Sequence, residues 1–213
     1  MVKLTKSELP PHIKIESEKD YRSDEVLKIL TEDCHGKCYI CEIKPTTINV
    51  EHIRPHSKNP DLKFSWYNLF IACGHCNGIK SDKFEELIDP TKCDPEDYIA
   101  LSVETTDDLI ERVKIKPLAS DDSTMQTAEL LRLVYNDGST ATRRLECSAL
   151  RNDHLLFHIR VFWQYINNYR EEPDSGYDII VVKEIDRSSA FAAFKREIVR
   201  SDPELSAKFF AKG

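Results

Sequence analysis

Residues 38–83 decide the fold and read CYICEIKPTTINVEHIRPHSKNPDLKFSWYNLFIACGHCNGIKSDK. It contains two Cys-x-x-Cys pairs, Cys38/Cys41 and Cys73/Cys76, separated by 31 residues. In a chain expected to be cytosolic, where disulfides are disfavoured, two such pairs predict a tetrahedral zinc site made of four thiolates. Four unrelated core thiols would not be expected to repeat one spacing, and a redox dithiol would account for only one pair.

The insert between the two pairs is longer than the roughly 15 to 20 residues of an ordinary zinc ribbon, so we expect it to house something more. Residues 46–53 are rich in β-branched side chains and read as a strand ending in Glu51-His52, followed by a proline-broken loop over 54–65. Residues 76–87 read as a helix. Adjacent residues on a strand point to opposite faces unless the strand end twists, so Glu51-His52 is weak evidence by itself.

The order of the motifs is more specific than any one of them. Cys-x-x-Cys, Glu-His, Asn-Leu, Cys-x-x-Cys-Asn and then Lys80 follow one another along the chain. This order resembles the HNH, or ββα-metal, endonucleases. The strings CYICE, VEHIRPHS and FSWYNLFIACGHCNGIKSDKF are similar to their zinc-ribbon subtype, and above all to the PtuB-like HNH subunits of retron and Septu anti-phage systems.

The resemblance implies an α+β fold with a small ββα-metal core, cleavage of DNA, and an ATPase partner subunit of the PtuA-like kind. It is most specific over 37–92 and continues more weakly into the C-terminal half. Hydrolysis of a phosphodiester requires a base that activates water and a divalent cation that neutralises developing charge.

The same resemblance assigns roles to four residues. His52 is the expected general base, because an imidazole titrates near about pH 6.5. Glu51 and Asn77 are the expected oxygen ligands of a catalytic Mg²⁺ or Mn²⁺. Asn68 is expected to hold the loop by hydrogen bonds to its backbone. Many HNH enzymes carry Asp or His in place of Glu51, a difference that could alter the metal preference.

Other polar residues are assigned more ordinary roles. We expect His56 and His75 to be bystanders, and His154 and His158 to be core or interface residues although they share one helix face. The cysteines outside the pairs read as small apolar residues, and the aromatic residues Phe64, Trp66, Tyr67 and Phe70 as packing of the ββα core. The expected contacts to DNA phosphates are Arg54, Lys58, Lys63, Lys80 and Lys83.

Taken over the whole chain, the net charge of −7 opposes binding to nucleic acid. However, residues 93–149 carry six basic and twelve acidic groups, whereas residues 44–83 carry six basic and three acidic groups. The acidity therefore predicts weak, salt-sensitive DNA binding by this chain, with a partner supplying most of the affinity. No phosphate-binding glycine motif occurs, so ATP or NAD chemistry is not expected within the chain.

The chain is divided by pattern into four segments. These are an N-terminal helical segment (1–35), the HNH core with its zinc knuckles (36–92), an acidic connector (93–123) and a helical region (124–213). Helices are predicted near 23–33, 124–135, 142–170, 188–200 and 203–211, and a strand pair near 98–103 and 109–116. The helical region and the acidic stretch are candidates for docking the ATPase within a hetero-oligomer. The sequence lacks a signal peptide and any bilayer-length apolar run, which predicts a cytoplasmic protein with no membrane contact.

Three functions fit these observations. The first is a metal-dependent DNA endonuclease that acts as the effector subunit of an anti-phage complex. The second is a nuclease of the same fold in another role, such as restriction or RNA cleavage. The third is a non-catalytic zinc-ribbon scaffold that binds nucleic acid or protein.

Overall fold

The computed structural model describes residues 1–57, 59–105, 111–173 and 175–210. The fold is α+β, as predicted, with two small antiparallel sheets and many helices. The strands are β1 (Asn49–His52), β2 (Leu69–Ala72), β3 (Ile99–Thr105) and β4 (Glu111–Pro117), and the helices are α1 (Glu18–Tyr21), α2 (Asp24–Asp33), α3 (Gly74–Lys80), α4 (Asp122–Asn136), α5 (Ala141–Ser148), α6 (Leu156–Glu171), α7 (Tyr177–Glu184), α8 (Ala192–Ser201) and α9 (Pro203–Phe209). None of the helices in the described part of the chain is both long and apolar enough to span a bilayer.

The first sheet and α3 form a ββα unit. β1 pairs antiparallel with β2, with Glu51 opposite Phe70 and His52 opposite Leu69. All four residues of β2 are buried, which explains its uninterrupted apolar sequence. The chain passes from β2 directly into α3, so the hairpin and the helix are fixed relative to each other by one residue, Cys73.

The loop that follows α2 lies against this unit. α2 begins where the Ser23 hydroxyl accepts a hydrogen bond from the Val26 N–H, which caps the helix. It ends in a turn in which His35 and Gly36 both have left-handed backbone angles. The Tyr39 N–H then donates to the Ile71 carbonyl at 3.0 Å, which attaches the first Cys-x-x-Cys loop to β2.

The C-terminal helices are joined to the ββα unit by buried polar contacts. The Lys37 ammonium donates to Glu42 at 3.1 Å and to the carbonyl of Ser189 at 2.8 Å. The Tyr135 hydroxyl donates to the Cys41 carbonyl at 3.0 Å. The main apolar core includes residues from all four segments defined by the sequence. The structure does not separate the four segments into independent cores, and their boundaries stay a prediction from the sequence.

Several local elements differ from the sequence predictions. The helix predicted over 76–87 ends at Lys80, because Ser81 has a φ of +41° and turns the chain away. The helix predicted over 142–170 is divided by a π-helical segment, Ala149–Leu155. Helix α7 was not predicted, and Tyr67 is 60% exposed although core packing was expected for it.

A stability measurement tests the contact between α4 and the first cysteine loop. We expect Tyr135→Phe to lower the free energy of unfolding by about 1–3 kcal/mol, because the buried Cys41 carbonyl loses its donor. Urea unfolding of metal-loaded protein measures the change, and Tyr67→Phe, at an exposed tyrosine, serves as the matched control. Equal stability of the two variants would contradict the assigned contact.

Candidate metal centre and active site

The four paired cysteines converge in the structure, as the sequence predicts. Cys38 and Cys41 come from the loop after α2, Cys73 is the N-cap of α3, and Cys76 lies in its first turn. All four sulfur atoms lie within 4.8 Å of one another, and Cys41 and Cys73 are 3.8 Å apart. Within the described residues this is the one group of three or more His, Cys, Asp or Glu side chains found close enough to hold a metal.

The chemistry of this donor set fits a thiophilic dication. Burial raises the pKa of the Cys41 and Cys76 thiols well above the ordinary value, so several thiolates are stable together here only around a cation. The described cysteines are all unbridged, and the thiols of both pairs lie together, whereas a redox dithiol would account for only one pair. Tetrahedral four-thiolate sites are typical of structural zinc.

Glu51 and His52 line one cavity of about 260 Å³, although they are neighbours on a strand. His52 is the last residue of β1, the position where a strand can twist and turn a side chain from its regular face. Asn77, one residue after the last cysteine, lines the same cavity from α3. The structure therefore brings together the three residues that the sequence analysis placed at the reaction centre.

The His52 ring is held by the backbone. Its Nε2 lies 2.9 Å from the carbonyl oxygen of Lys63, which can only accept, so Nε2 carries the hydrogen and Nδ1 is left as the acceptor of a neutral ring. Burial lowers the pKa of His52, outweighing the carbonyl contact, and favours the neutral form. The Tyr21 ring meets the His52 ring edge-on at 5.6 Å.

Glu51 forms a buried ion pair with Lys80. The ammonium lies 2.8 Å from a Glu51 carboxylate oxygen and donates to the His52 carbonyl at 2.7 Å. Burial raises the pKa of Glu51, and the charge of Lys80 offsets only part of that effect. Lys80 is 1% exposed, so this position does not suit the phosphate contact expected for it from the sequence. Lys80 instead lines the cavity wall, where it is paired with Glu51.

Asn68 makes the backbone contacts expected of it. Its Oδ1 accepts from the Arg54 N–H at 2.9 Å, and its Nδ2 donates to the carbonyls of Arg54 and Leu62, both at 3.0 Å. These three bonds close the loop between β1 and β2, which carries the Lys63 carbonyl that orients His52. A catalytic consequence of Asn68 stays a prediction.

The remaining residues expected to contact phosphate differ in their surroundings. Arg54 is paired with Glu86 at 3.2 Å, and Lys63 is paired with Glu18 at 2.7 Å. Lys83 is exposed in the turn after α3. Lys58 lies outside the described residues.

The cavity also contains residues that the sequence analysis missed or set aside. Tyr21, Arg22 and Glu18 reach it from the N-terminal segment, and His56 and Asp82 are also among its lining residues. The His52 and His56 rings are 4.6 Å apart, so His56, for which the sequence analysis expected no role, lies in the same cavity as the predicted base. No local sequence pattern marks Tyr21 and Arg22, because about thirty residues separate them from Glu51 and His52.

The other histidines considered in the sequence analysis lie outside this cavity. His75 contacts the Val134 carbonyl at 2.8 Å and Glu146 at 3.3 Å. Burial lowers its pKa, but hydrogen bonds to Cys147 and the Val134 carbonyl prevail and raise the pKa to about 9. The His158 ring packs on Phe191 at 5.4 Å, whereas His154 is exposed. These two histidines do not form a metal site within the described residues.

Comparisons with known proteins agree with this geometry. Residues 32–83 match the family model described as HNH endonuclease. The chain is 34% identical over 79 residues to the Septu protein PtuB of Bacillus thuringiensis, an alignment that covers 34% of this chain and 31% of that relative. No solved structure matches the chain at a significant level. Residues 32–83 thus form an HNH domain, organised around four converging cysteines and resembling the zinc-ribbon subtype of that family.

Proposed function

We propose that this chain is a metal-dependent endonuclease that hydrolyses DNA phosphodiester bonds in anti-phage defence. The observation that carries the proposal is the oriented His52 ring, in a cavity that it shares with Glu51 and Asn77 inside an HNH domain. The similarity to a Septu protein supports the role in defence.

In the proposed reaction His52 is the general base. The hydrogen bond from Nε2 to the Lys63 carbonyl keeps Nδ1 unprotonated, so Nδ1 is the atom that takes a proton from the attacking water. The Lys63 carbonyl also stabilises the imidazolium that forms, because its oxygen still accepts from Nε2. Tyr21 packs against the ring and restricts its rotation.

Glu51 and Asn77 are the proposed ligands of the catalytic cation. Both line the cavity and offer oxygen donors, the type that Mg²⁺ and Mn²⁺ prefer. Bound there, the cation would supply Lewis-acid stabilisation of the charge that develops on the phosphate. Lys80 competes for the Glu51 carboxylate, and the same contact keeps that carboxylate from being buried without a counter-charge.

Arg22 is the proposed phosphate contact in the cavity, in place of Lys80. Its side chain is 64% exposed at the cavity, and its carboxylate neighbour Glu18 is at the long distance of 3.9 Å. Glu18 is also held by Lys63 at 2.7 Å, so it can leave Arg22 without losing its stronger partner. A guanidinium binds phosphate through two parallel hydrogen bonds.

The remaining proposals concern the partner and the location. The similarity to PtuB supports a cytoplasmic hetero-oligomer with a PtuA-like ATPase. Residues 124–213 and the acidic stretch before them are the proposed docking region. A pull-down in which a chain shortened to residues 1–123 retains the ATPase would exclude the helices from that role.

Plasmid nicking in Mg²⁺ or Mn²⁺ tests the function, with the chain assayed alone and with the ATPase. We expect His52→Ala to lower the rate by about 10²–10⁴, the usual contribution of a general base. His154→Ala, at an exposed histidine outside the cavity, is the matched control and should cut at the wild-type rate. Parallel DNA and RNA substrates distinguish a DNA nuclease from an RNA nuclease.

Equal cutting by wild type and His52→Ala would end the assignment of His52 as the base. A wild-type complex that binds DNA in the presence of either cation without cutting it would favour the non-catalytic scaffold.

Metal analysis tests the structural zinc site. We expect about one zinc per purified wild-type chain and clear loss of zinc in Cys76→Ser, because a four-thiolate site loses a ligand. Cys93→Ser, at a cysteine outside the cluster, is the control and should retain the metal. Full zinc occupancy in Cys76→Ser would contradict the site.

Binding to catalytically inactive protein tests Arg22. In a His52→Ala background we expect Arg22→Ala to weaken DNA binding for all sequences, and to reduce the salt slope of log affinity by about one. Arg160→Ala removes an arginine of similar exposure, paired with Glu111, and is the control. An unchanged salt slope for Arg22→Ala would remove it from the interface.

A further inference from the structure

The arginines of this chain fall into two groups by their ion pairs. Of the twelve arginines, nine lie within 4.0 Å of a carboxylate. The other three, Arg112, Arg144 and Arg151, have no ion pair with any described residue. All three line the same cavity, which has a volume of about 550 Å³.

This cavity shares no lining residue with the HNH cavity around His52. It lies where the N-terminal part of β4, the end of α4, α5 and the π-helical segment Ala149–Leu155 meet. Asp137 contributes the one carboxylate among its lining residues, so three guanidinium charges against one carboxylate leave +2. That carboxylate already accepts a hydrogen bond from the Ser139 N–H at 2.8 Å. The surrounding sequence, residues 93–149, is the most acidic of the chain, and yet its cavity is basic.

Arg151 has an unsatisfied donor. Its Nη1 donates to the Tyr135 carbonyl at 2.7 Å, but its buried Nε has no hydrogen-bond partner in the described part of the chain. A buried N–H without an acceptor is costly, and such groups call for a specific explanation. Arg151 is also presented by a π-helical turn, a rare geometry that is frequent at functional sites.

Capping of α4 accounts for only part of the arrangement. Arg151 and Arg144 donate to carbonyls at and just beyond the end of α4, those of Tyr135 and Gly138. Cations stabilise the C-terminus of a helix in this way. Arg112 is on β4 and makes no such contact, and a cap leaves the Nε of Arg151 without an acceptor.

We propose that Arg112, Arg144 and Arg151 form a second binding site, separate from the HNH cavity, for a phosphate group carried by a nucleotide or a nucleic acid strand. Guanidinium groups match phosphate oxygens bidentately, and a phosphate would accept from Arg151 Nε while its negative charge offsets the net +2 of the cavity. The volume is in the range of small-molecule sites and exceeds what a bare phosphate would fill.

Binding to the full chain in Mg²⁺-free buffer tests this site without any need for nuclease activity. The probes are pyrophosphate, followed by calorimetry, and a short fluorescent single-stranded DNA oligonucleotide, followed by anisotropy. We expect Arg112→Ala and Arg144→Ala, both at exposed side chains, each to weaken binding about tenfold. Arg132→Ala, which breaks the exposed pair with Glu129 outside the cavity, should leave the affinity unchanged.

The two probes separate the sources of the phosphate. Arginine-dependent binding of pyrophosphate assigns the site to small phosphorylated ligands, and arginine-dependent binding of the oligonucleotide alone assigns it to nucleic acid. Arg151→Lys keeps the positive charge but removes the paired N–H donors of the guanidinium. We expect this variant to stay folded and to bind either probe more weakly. The proposal is overturned if neither probe binds, or if the variants bind as tightly as wild type and lose only thermal stability. These binding results do not depend on whether His52→Ala loses nicking activity. The proposed second site and the proposed nuclease function can therefore be rejected separately.

Discussion

The convergence of four thiols at one point is the constraint on which the rest of this structure depends. β1 and β2 have four residues each and α3 has seven, so none of these elements is stable alone. A metal bound by Cys38, Cys41, Cys73 and Cys76 would tie the loop after α2 to the first turn of α3. Asn77 follows Cys76 directly, so the same bond fixes it relative to the end of β1, where His52 and Glu51 lie. A metal at the four cysteines would thereby fix the relative positions of the residues proposed for the reaction centre.

Buried charge pairs connect this unit to the helical half of the chain. Lys37 and Glu42 flank the first cysteine pair, and their partners lie in the segment before α8 and at its start. Lys195 of α8 is fully buried and is paired with Glu184 at 2.5 Å. Because removing one partner of a buried pair leaves an unpaired charge, orientations of the helices that break these pairs are disfavoured. A partner bound by the helices would act on a surface rigidly joined to the metal centre.

The distribution of charge around each cavity depends on the fold more than on the order of charged residues along the chain. The net of −7 conceals one basic cavity, around Arg112, Arg144 and Arg151, whereas the HNH cavity holds Arg22 and Lys80 against three carboxylates, Glu18, Glu51 and Asp82. Most other arginines are neutralised by carboxylates far away in sequence, as in the pair of Arg196 with Glu96. For binding an anion, what counts is the set of cations without a local counter-charge, and only the fold defines that set.

The spacing of the two cysteine pairs predicted that Cys38, Cys41, Cys73 and Cys76 converge, because two repeated pairs in a short stretch leave the chain few ways to fold around a metal. The α+β class, the placement of Glu51, His52 and Asn77 at one site and the loop contacts of Asn68 were implied by the resemblance of this stretch to the HNH endonucleases. The tertiary structure alone decided that Lys80 is buried against Glu51, that Tyr21 and Arg22 reach the cavity, and that α3 ends at a strained Ser81. It likewise decided which arginines lack a carboxylate. These outcomes depend on contacts between residues tens of positions apart, whose energies come from burial and charge pairing that no local periodicity records.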